Sequence, residues 1–520
     1  MSRLRFWVVL TAAVALALAF RLAWPDARPM HHDEANQAVK FGTLLETGEY
    51  RYDRNDHHGP SLYYLTLPVA WARGQTTLAS LDERTLRLVP ALFGAGVILL
   101  LPLLAAPLGR GSVATSAVLV AVSPVLTYYS RYYIQESLLA FFAVAFLIAV
   151  GRCAERGRAG WAAAAGVFAG LAYATKETSV IVFATALVSC AVARAATAGT
   201  GAAIGTAGVT PGKRLAHFAL GCAAALAIAL VLYSSLLRHP AGLLESIRAF
   251  SIYADRGLGA GSHAEPSDYY LRLLWFAASG GLVWTEALVL LLAIAGSIFA
   301  FRNDVHGRFW PRYICLYSWI TALAFSAIPY KTPWNVLPFY VGLVAMAGYG
   351  ATAILGTVQT RGLRSLIIVV FLAATCHLAL QDWHANFRYP ADPRNPYAYA
   401  QTSPDFLRLV QRVTDLAALH PERQRMLIEV IAGPYEQWPL PWYLRGMARV
   451  GYWTRAADAE PLAGAPVIVA SQAHAAVIDA ALGERYVSEF YGLRPGVLLT
   501  VYIERSLWDR FLVKRQGLTF

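Results

Sequence analysis

Long apolar runs divide roughly the first three-quarters of the chain. They fall at 6–23, 87–108, 112–129, 137–151, 161–175, 178–194, 215–236, 284–301, 313–329, 335–355 and 365–381. Crossing the hydrocarbon of a bilayer takes about 20 apolar residues, with a range near 17–25. The pattern therefore predicts a polytopic α-helical membrane protein with about 11 transmembrane helices. The runs at 137–151, 161–175 and 313–329 sit at the short end. The first run follows Arg3 and Arg5 as a signal peptide would, but no small-residue cleavage site comes after it.

Between the first two runs lies an outer loop, 24–86. Its segment Ser61–Ala72 is apolar but too short to cross, and reads as an interfacial helix with Tyr63, Tyr64 and Trp71 at headgroup level. A similar short helix is predicted over 35–47. The Ala/Gly/Thr-rich stretch 195–212 reads as a flexible loop. The longer loop 237–283 carries a Gly-rich tip at 257–261, expected to act as a mobile lid.

From about Asp382 the apolar runs stop. A helical pattern at 403–420 is followed by β-like runs at 426–431, 466–470 and 497–503, with a helical stretch at 471–482. Alternating strand and helix signals predict an α/β domain over 382–520, beyond a membrane domain over 1–381. It has no Gly-rich phosphate loop, so a nucleotide-sugar donor is not supported.

Charge orients the bundle. Inside loops would hold Arg3, Arg5, Arg110, Arg152, Arg156, Arg158, Arg194, Lys213, Arg214, Arg302, Arg308, Arg312, Arg361 and Arg364. Short outside loops hold only Arg131, Lys176 and Lys331. The positive-inside rule then puts the N-terminus in the cytoplasm and the C-terminal domain outside. Across 520 residues, 57% are hydrophobic and 15% charged, below the roughly 25% charged of soluble domains. The net charge of +12 is scattered between apolar runs, which fits anionic headgroups rather than nucleic acid. The five cysteines have no metal-type spacing.

Polar clusters recur in five successive outside segments. They are His31-His32-Asp33-Glu34, Asp56-His57-His58-Gly59-Pro60, Ser130-Arg131-Tyr132-Tyr133-Ile134-Gln135-Glu136, Thr175-Lys176-Glu177 and Tyr330-Lys331-Thr332-Pro333. Taken singly, each reads equally well as an interfacial anchor or an interhelical salt bridge. Charges at membrane ends are costly unless paired or solvated, so five together point to one shared site. Transfer of a group from a phosphorylated lipid fits. Arg131, Lys176 and Lys331 would bind the phosphate. Asp33 would take the acceptor proton, with Glu34 holding a neighbouring donor or metal and Glu136 orienting Arg131. His57, His58, Tyr132 and Tyr330 would support the site. His31 and His32 with Glu34 offer a divalent-metal alternative, weakened because adjacent histidines do not share a helix face.

On these residues the chain resembles GT-C membrane glycosyltransferases that use polyprenyl-phosphate sugars, a group that includes protein O-mannosyltransferases and aminoarabinose transferases of lipid A. The resemblance rests on Asp33-Glu34, Gly59 to Tyr64, Ser130 to Glu136 (with Glu where Asp is common), Thr175-Lys176, and Lys331 followed by Pro338. It implies Asp33 as the base and the cations as phosphate ligands. More closely, the chain resembles proteins labelled flippase-activity-associated, or Agl23-like. That resemblance lies in His32 to Ala35, Tyr173 to Glu177, Tyr330 to Trp334, Gln401 to Asp405 and Trp438 to Tyr443. The label implies no mechanism.

The expectation is an inverting glycosyltransferase in the plasma membrane. It would move a sugar from a polyprenyl-phosphate donor to a lipid, glycan or protein acceptor on the outer side, with no certain cofactor. A flippase or transporter of lipid-linked sugars is the competing class. It needs a polar path across the midplane, and the runs here are nearly free of charge. A non-catalytic partner of such a system is the third.

Overall fold

The computed structural model describes the chain except residues 57, 199–209, 259–262, 303–308, 460–461 and 517–520. Each apolar run is helical. The helices are Arg3–Leu22, Glu83–Leu100, Arg110–Val122 with Pro124–Ser130, Glu136–Arg156, Ala159–Tyr173, Ser179–Ala198, Pro211–Tyr233, Ala287–Phe301, Phe309–Ala327, Leu337–Thr357 and Arg361–Trp383. Among the described residues, seven helices are long and apolar enough to cross a membrane. An eighth joins them if Arg110–Val122 and Pro124–Ser130 form one span bent by 58°. That bend has a local cause. Pro124 cannot donate to the helix before it, and the Ser123 hydroxyl caps the new start by accepting from Leu126 N. Ala159–Tyr173 and Ala287–Phe301 are apolar but shorter. Length and apolarity thus support seven or eight spans, where the sequence pattern suggests about eleven.

Helices Ala287–Phe301 and Leu337–Thr357 touch backbone to backbone. A side chain on Gly296 would collide with the Met346 carbonyl, and one on Gly350 with that of Leu292. Such small-residue contacts replace the hydrophobic drive that lipid does not supply.

The loop 24–86 folds over the bundle as helices His32–Thr47 and Ser61–Ala72. Its own apolar cluster includes Met30, Phe41, Leu62, Tyr63, Leu138 and Trp442. This corrects one expectation. Tyr63 is not at headgroup level but fully buried, with its hydroxyl on Gln37 Oε1. Trp71 is exposed as expected. Loop 237–283 contains helices Ala241–Leu258 and Tyr269–Trp275 and a hairpin of Ala277–Ser279 with Leu282–Trp284. Most of the expected lid tip, and of the 195–212 loop, lies outside the described residues.

The C-terminal part is a mixed five-stranded sheet. In spatial order its strands are Val450–Trp453, Ile428–Ile431, Val467–Ser471, Val497–Glu504 and Tyr486–Arg494. The first three run parallel and the last two pair antiparallel. Helix Pro404–Leu419 covers one face by burying Phe406, Leu409, Val413, Leu416 and Ala417, a spacing of one helical face. The expected α/β character is present.

Candidate active site

The His31-His32-Asp33-Glu34 stretch is a helix start. His31 is the N-cap of helix His32–Thr47: its Nδ1 accepts from Asp33 N at 3.1 Å, and Glu34 Oε2 accepts from His31 N at 3.0 Å. This reciprocal capping box satisfies two otherwise orphaned donors. The other ring nitrogen of His31 donates to the Tyr399 carbonyl at 3.1 Å. The two bonds together call for the neutral Nε2–H tautomer. Burial, the largest influence on His31, likewise lowers its pKa.

Asp33 occupies the first turn, where the helix dipole favours a carboxylate. Its side chain is 41% exposed, and its carboxylate accepts no hydrogen bond from a described residue. Desolvation, the largest influence, would raise its pKa. Charges around it, Lys176 among them, outweigh that and hold it below the usual carboxylate value. Asp33 is therefore an ionised carboxylate that no described residue occupies with a hydrogen bond.

Glu34 differs from its expected role. It is fully buried, and its oxygens take Arg87 Nε at 2.7 Å, Arg87 Nη2 at 2.8 Å, His31 N at 3.0 Å and Tyr133 N at 2.9 Å. A carboxylate holding four donors has no free acceptor for a donor sugar or a metal. Glu34 is a positioning residue here. The same occupancy removes the His31, His32 and Glu34 metal set, since both His31 nitrogens are also engaged. Among the described residues, no group of three or more His, Cys, Asp or Glu is placed to hold a metal ion.

The three cations Arg131, Lys176 and Lys331 diverge. Lys176 pairs with Glu136 and reaches Asn335 Oδ1 at 3.3 Å. Desolvation would lower its pKa, but Glu136 reverses the sign and keeps it charged. Arg131 departs from expectation. Its guanidinium donates to the carbonyls of Phe20 at 2.7 Å, Arg21 at 3.2 Å, Ala23 at 2.7 Å and Trp24 at 3.1 Å. It closes the C-terminal end of helix Arg3–Leu22, where orphan carbonyls attract a cation. Glu136 therefore orients Lys176, not Arg131. Lys331 donates to the carbonyls of Glu265 at 2.9 Å and Ile328 at 2.6 Å, leaving one of its three donors.

The five polar clusters do meet. Tyr133 N binds Glu34, Glu136 binds Lys176, and Asn335 follows the Tyr330–Pro333 cluster. His58 Nδ1 lies 3.0 Å from Glu177 Oε2, and Tyr52 donates to Glu177 Oε1 at 3.2 Å. Ser61 N donates to the Ala174 carbonyl at 2.8 Å, and Ser61 and Thr175 share a hydroxyl bond of 2.6 Å. Gly59 permits this seam, because any Cβ there would overlap the Ala174 carbonyl. Gly59→Ala is expected to part the two loops. Overpacking of this kind costs about 1–3 kcal/mol, so a lower unfolding midpoint together with displaced Lys176 and reduced turnover is the outcome to measure. His57 lies outside the described residues. Tyr132 is buried, with its hydroxyl on Gln401. Tyr330 packs 5.1 Å from the His263 ring.

Residues not foreseen also build the site. Arg87 ties Glu34 to the carbonyls of Pro25, Arg28 and Pro29. A charge at the start of an apolar run was the signal for it. Arg28 stacks 3.7 Å over Tyr132 and donates to the Arg131 carbonyl at 2.7 Å. The C-terminal part clamps the same loop. Gln401 donates to the Pro29 carbonyl at 2.9 Å, Thr402 to the Met30 carbonyl at 2.7 Å, and Met30 N to the Tyr443 hydroxyl at 2.9 Å. Trp442 Nε1 donates to Glu83 at 2.8 Å, and Arg445 to the Leu81 carbonyl at 2.7 Å.

Comparison with known proteins agrees with this architecture. Residues 67–201 match the family described as dolichyl-phosphate-mannose-protein mannosyltransferase. No curated protein matches the chain by sequence. ArnT from Cupriavidus metallidurans, solved bound to undecaprenyl phosphate, is similar over 97% of this chain and 99% of its own, at 17% identity and TM-score 0.62. The archaeal oligosaccharyltransferase AglB from Archaeoglobus fulgidus, in complex with an inhibitory peptide and a dolichol-phosphate, is similar over 97% and 74%, at 12% identity and TM-score 0.55. The arabinofuranosyltransferase AftD from mycobacteria is similar over 97% and 40%, at 14% identity and TM-score 0.50. The chain has the GT-C membrane fold and is an integral membrane protein.

Proposed function

We propose that this chain is a membrane glycosyltransferase that moves a sugar from a polyprenyl-phosphate donor to an acceptor hydroxyl, on the outer face of the plasma membrane. The observation that carries the reading is the Asp33 carboxylate, ionised, free of hydrogen bonds from described residues, and within the electrostatic influence of Lys176. The lipid phosphates named in the ArnT and AglB structures support the donor class. The concentration of Arg and Lys in the opposite loops supports the outer face.

In the reaction the acceptor oxygen forms a bond to the anomeric carbon as the bond from that carbon to the phosphate oxygen breaks. The acceptor proton passes to Asp33, and the electron pair leaves on the polyprenyl phosphate. Lys176 neutralises that developing charge, with His58 beside it and the remaining Lys331 donor in reserve. One carboxylate opposite the leaving group gives inversion. Arg131 and Glu34 hold the scaffold and take no part in the chemistry. The flippase-associated resemblance carries no step of this account.

The experiment is release of polyprenyl phosphate from a lipid-linked sugar by the purified protein, followed across pH. Lys176 is one of the groups that lower the Asp33 pKa. Replacing it by Gln together with Glu136→Gln keeps the pair uncharged and hydrogen-bonded. The Asp33 pKa then rises toward its ordinary value, so the acid limb of kcat/KM is expected to move to higher pH as kcat falls. An unmoved acid limb would separate Asp33 from Lys176 and sink this assignment.

A further inference from the structure

Beside Asp33 stands an aromatic surface that the chemistry above does not use. His32, the residue before Asp33, stacks on Tyr435 with ring centroids 6.0 Å apart and planes at 29°, and lies 5.9 Å from the Trp438 ring. Tyr435 is 72% exposed, although it belongs to the segment that clamps the first outer loop. That segment does not drift. Trp442, Tyr443 and Arg445 fix it to Glu83, Met30 and Leu81. Its rim is polar: Arg494 donates to the Tyr435 carbonyl at 3.2 Å, within the electrostatic influence of Glu436.

We infer that Tyr435 and Trp438, with His32, form the acceptor subsite, and that the acceptor is a saccharide. The inference rests on the glycosyltransferase reading and deepens it. A pyranose presents a face of polarised C–H bonds, which the negative face of an aromatic ring attracts, and an equatorial edge of hydroxyls. An exposed ring held rigid beside charged donors and acceptors matches both surfaces. It also sets one hydroxyl of the sugar toward the free carboxylate next to His32. A Ser or Thr side chain on a protein acceptor gives an open aromatic face nothing of comparable area to cover. The aromatic pair comes from the C-terminal part and the base from the membrane part, so acceptor choice and chemistry are carried by different portions of the chain.

The test uses the full-length protein in lipid nanodiscs. Free oligosaccharides of mannose, galactose, glucose and arabinose, and Ser/Thr-containing peptides, are titrated while saturation-transfer NMR reads contact with protein aromatics. At least one oligosaccharide should bind saturably. Tyr435→Ala should weaken it at least tenfold, Tyr435→Phe should restore it, and the peptides should not compete. The exposure of Tyr435 keeps that variant folded; Trp438→Ala is read only alongside an unfolding curve. The inference is overturned if no oligosaccharide binds, if binding ignores Tyr435→Ala, or if peptides take the site. Release of polyprenyl phosphate, measured in the same samples, keeps the two readings apart. Release without saccharide binding overturns only the subsite, and saccharide binding without release overturns only the transferase.

Discussion

Asp33→Asn is expected to lower kcat by about 10²–10⁴-fold, the usual worth of a positioned general base, while leaving the fold and donor binding intact. Asn keeps the shape of Asp and still tolerates the first turn of a helix, so the capping box of His31 and Glu34 survives. What it loses is the proton acceptor. No described residue replaces it: Glu34 holds four donors, Glu136 pairs with Lys176, and Glu177 is bound by His58 and Tyr52. A drop in kcat at nearly constant KM for the lipid donor is the signature of a base. A raised KM with unchanged kcat would make Asp33 a binding residue instead. The readout is sugar transfer by membranes supplied with lipid-linked sugar.

The second large effect is on stability. Glu34 and Arg87 form a fully buried bidentate pair. Arg87 also gathers the carbonyls of Pro25, Arg28 and Pro29, so the pair is the knot of the loop 24–86. Removing one member leaves an uncompensated buried charge, which costs about 3–5 kcal/mol. Arg87→Met is expected to do this and to release the loop that carries Asp33, with a markedly lower unfolding midpoint in detergent. Glu34→Gln should be nearly as severe. The double variant Glu34→Leu with Arg87→Met removes both charges and should recover part of the loss. If Glu34→Gln were as stable as the parent and impaired only in catalysis, Glu34 would belong to the chemistry after all.

The sequence made some parts of this site readable and hid others for physical reasons. Hydropathy placed the helices because lipid leaves the backbone no alternative to intrahelical bonding. It does not say which helices cross, since Phe309–Ala327 buries much of its length against its neighbours and its Arg, Tyr, Ser and Thr lower its mean hydropathy. The convergence of the polar clusters was legible, because unpaired charges at membrane ends are costly and so tend to find one another. The individual roles were not. A cation in an outer loop reads the same whether it faces a phosphate or the carbonyls of a helix end. Arg131 closes the end of helix Arg3–Leu22, and no sequence spacing announces a contact across more than a hundred residues. Glu34 and Asp33 are neighbours of like charge. Only the helix start turns one inward onto Arg87 and leaves the other outward. The motif Trp438 to Tyr443 carries a resemblance in the sequence but no sign of which of its rings is buried. The fold buries Trp442 against Glu83 and sets Trp438 beside His32.

Transfer requires that the sugar be cleaved from its lipid phosphate rather than carried across the membrane with it. Proteoliposomes of the purified chain, loaded with a polyprenyl-phosphate sugar labelled in both sugar and lipid, test this most directly. One free polyprenyl phosphate is expected for each sugar that reaches an acceptor, with both lost in Asp33→Asn. Movement of the intact lipid-linked sugar between leaflets, with no polyprenyl phosphate released and no response to Asp33→Asn, would contradict it.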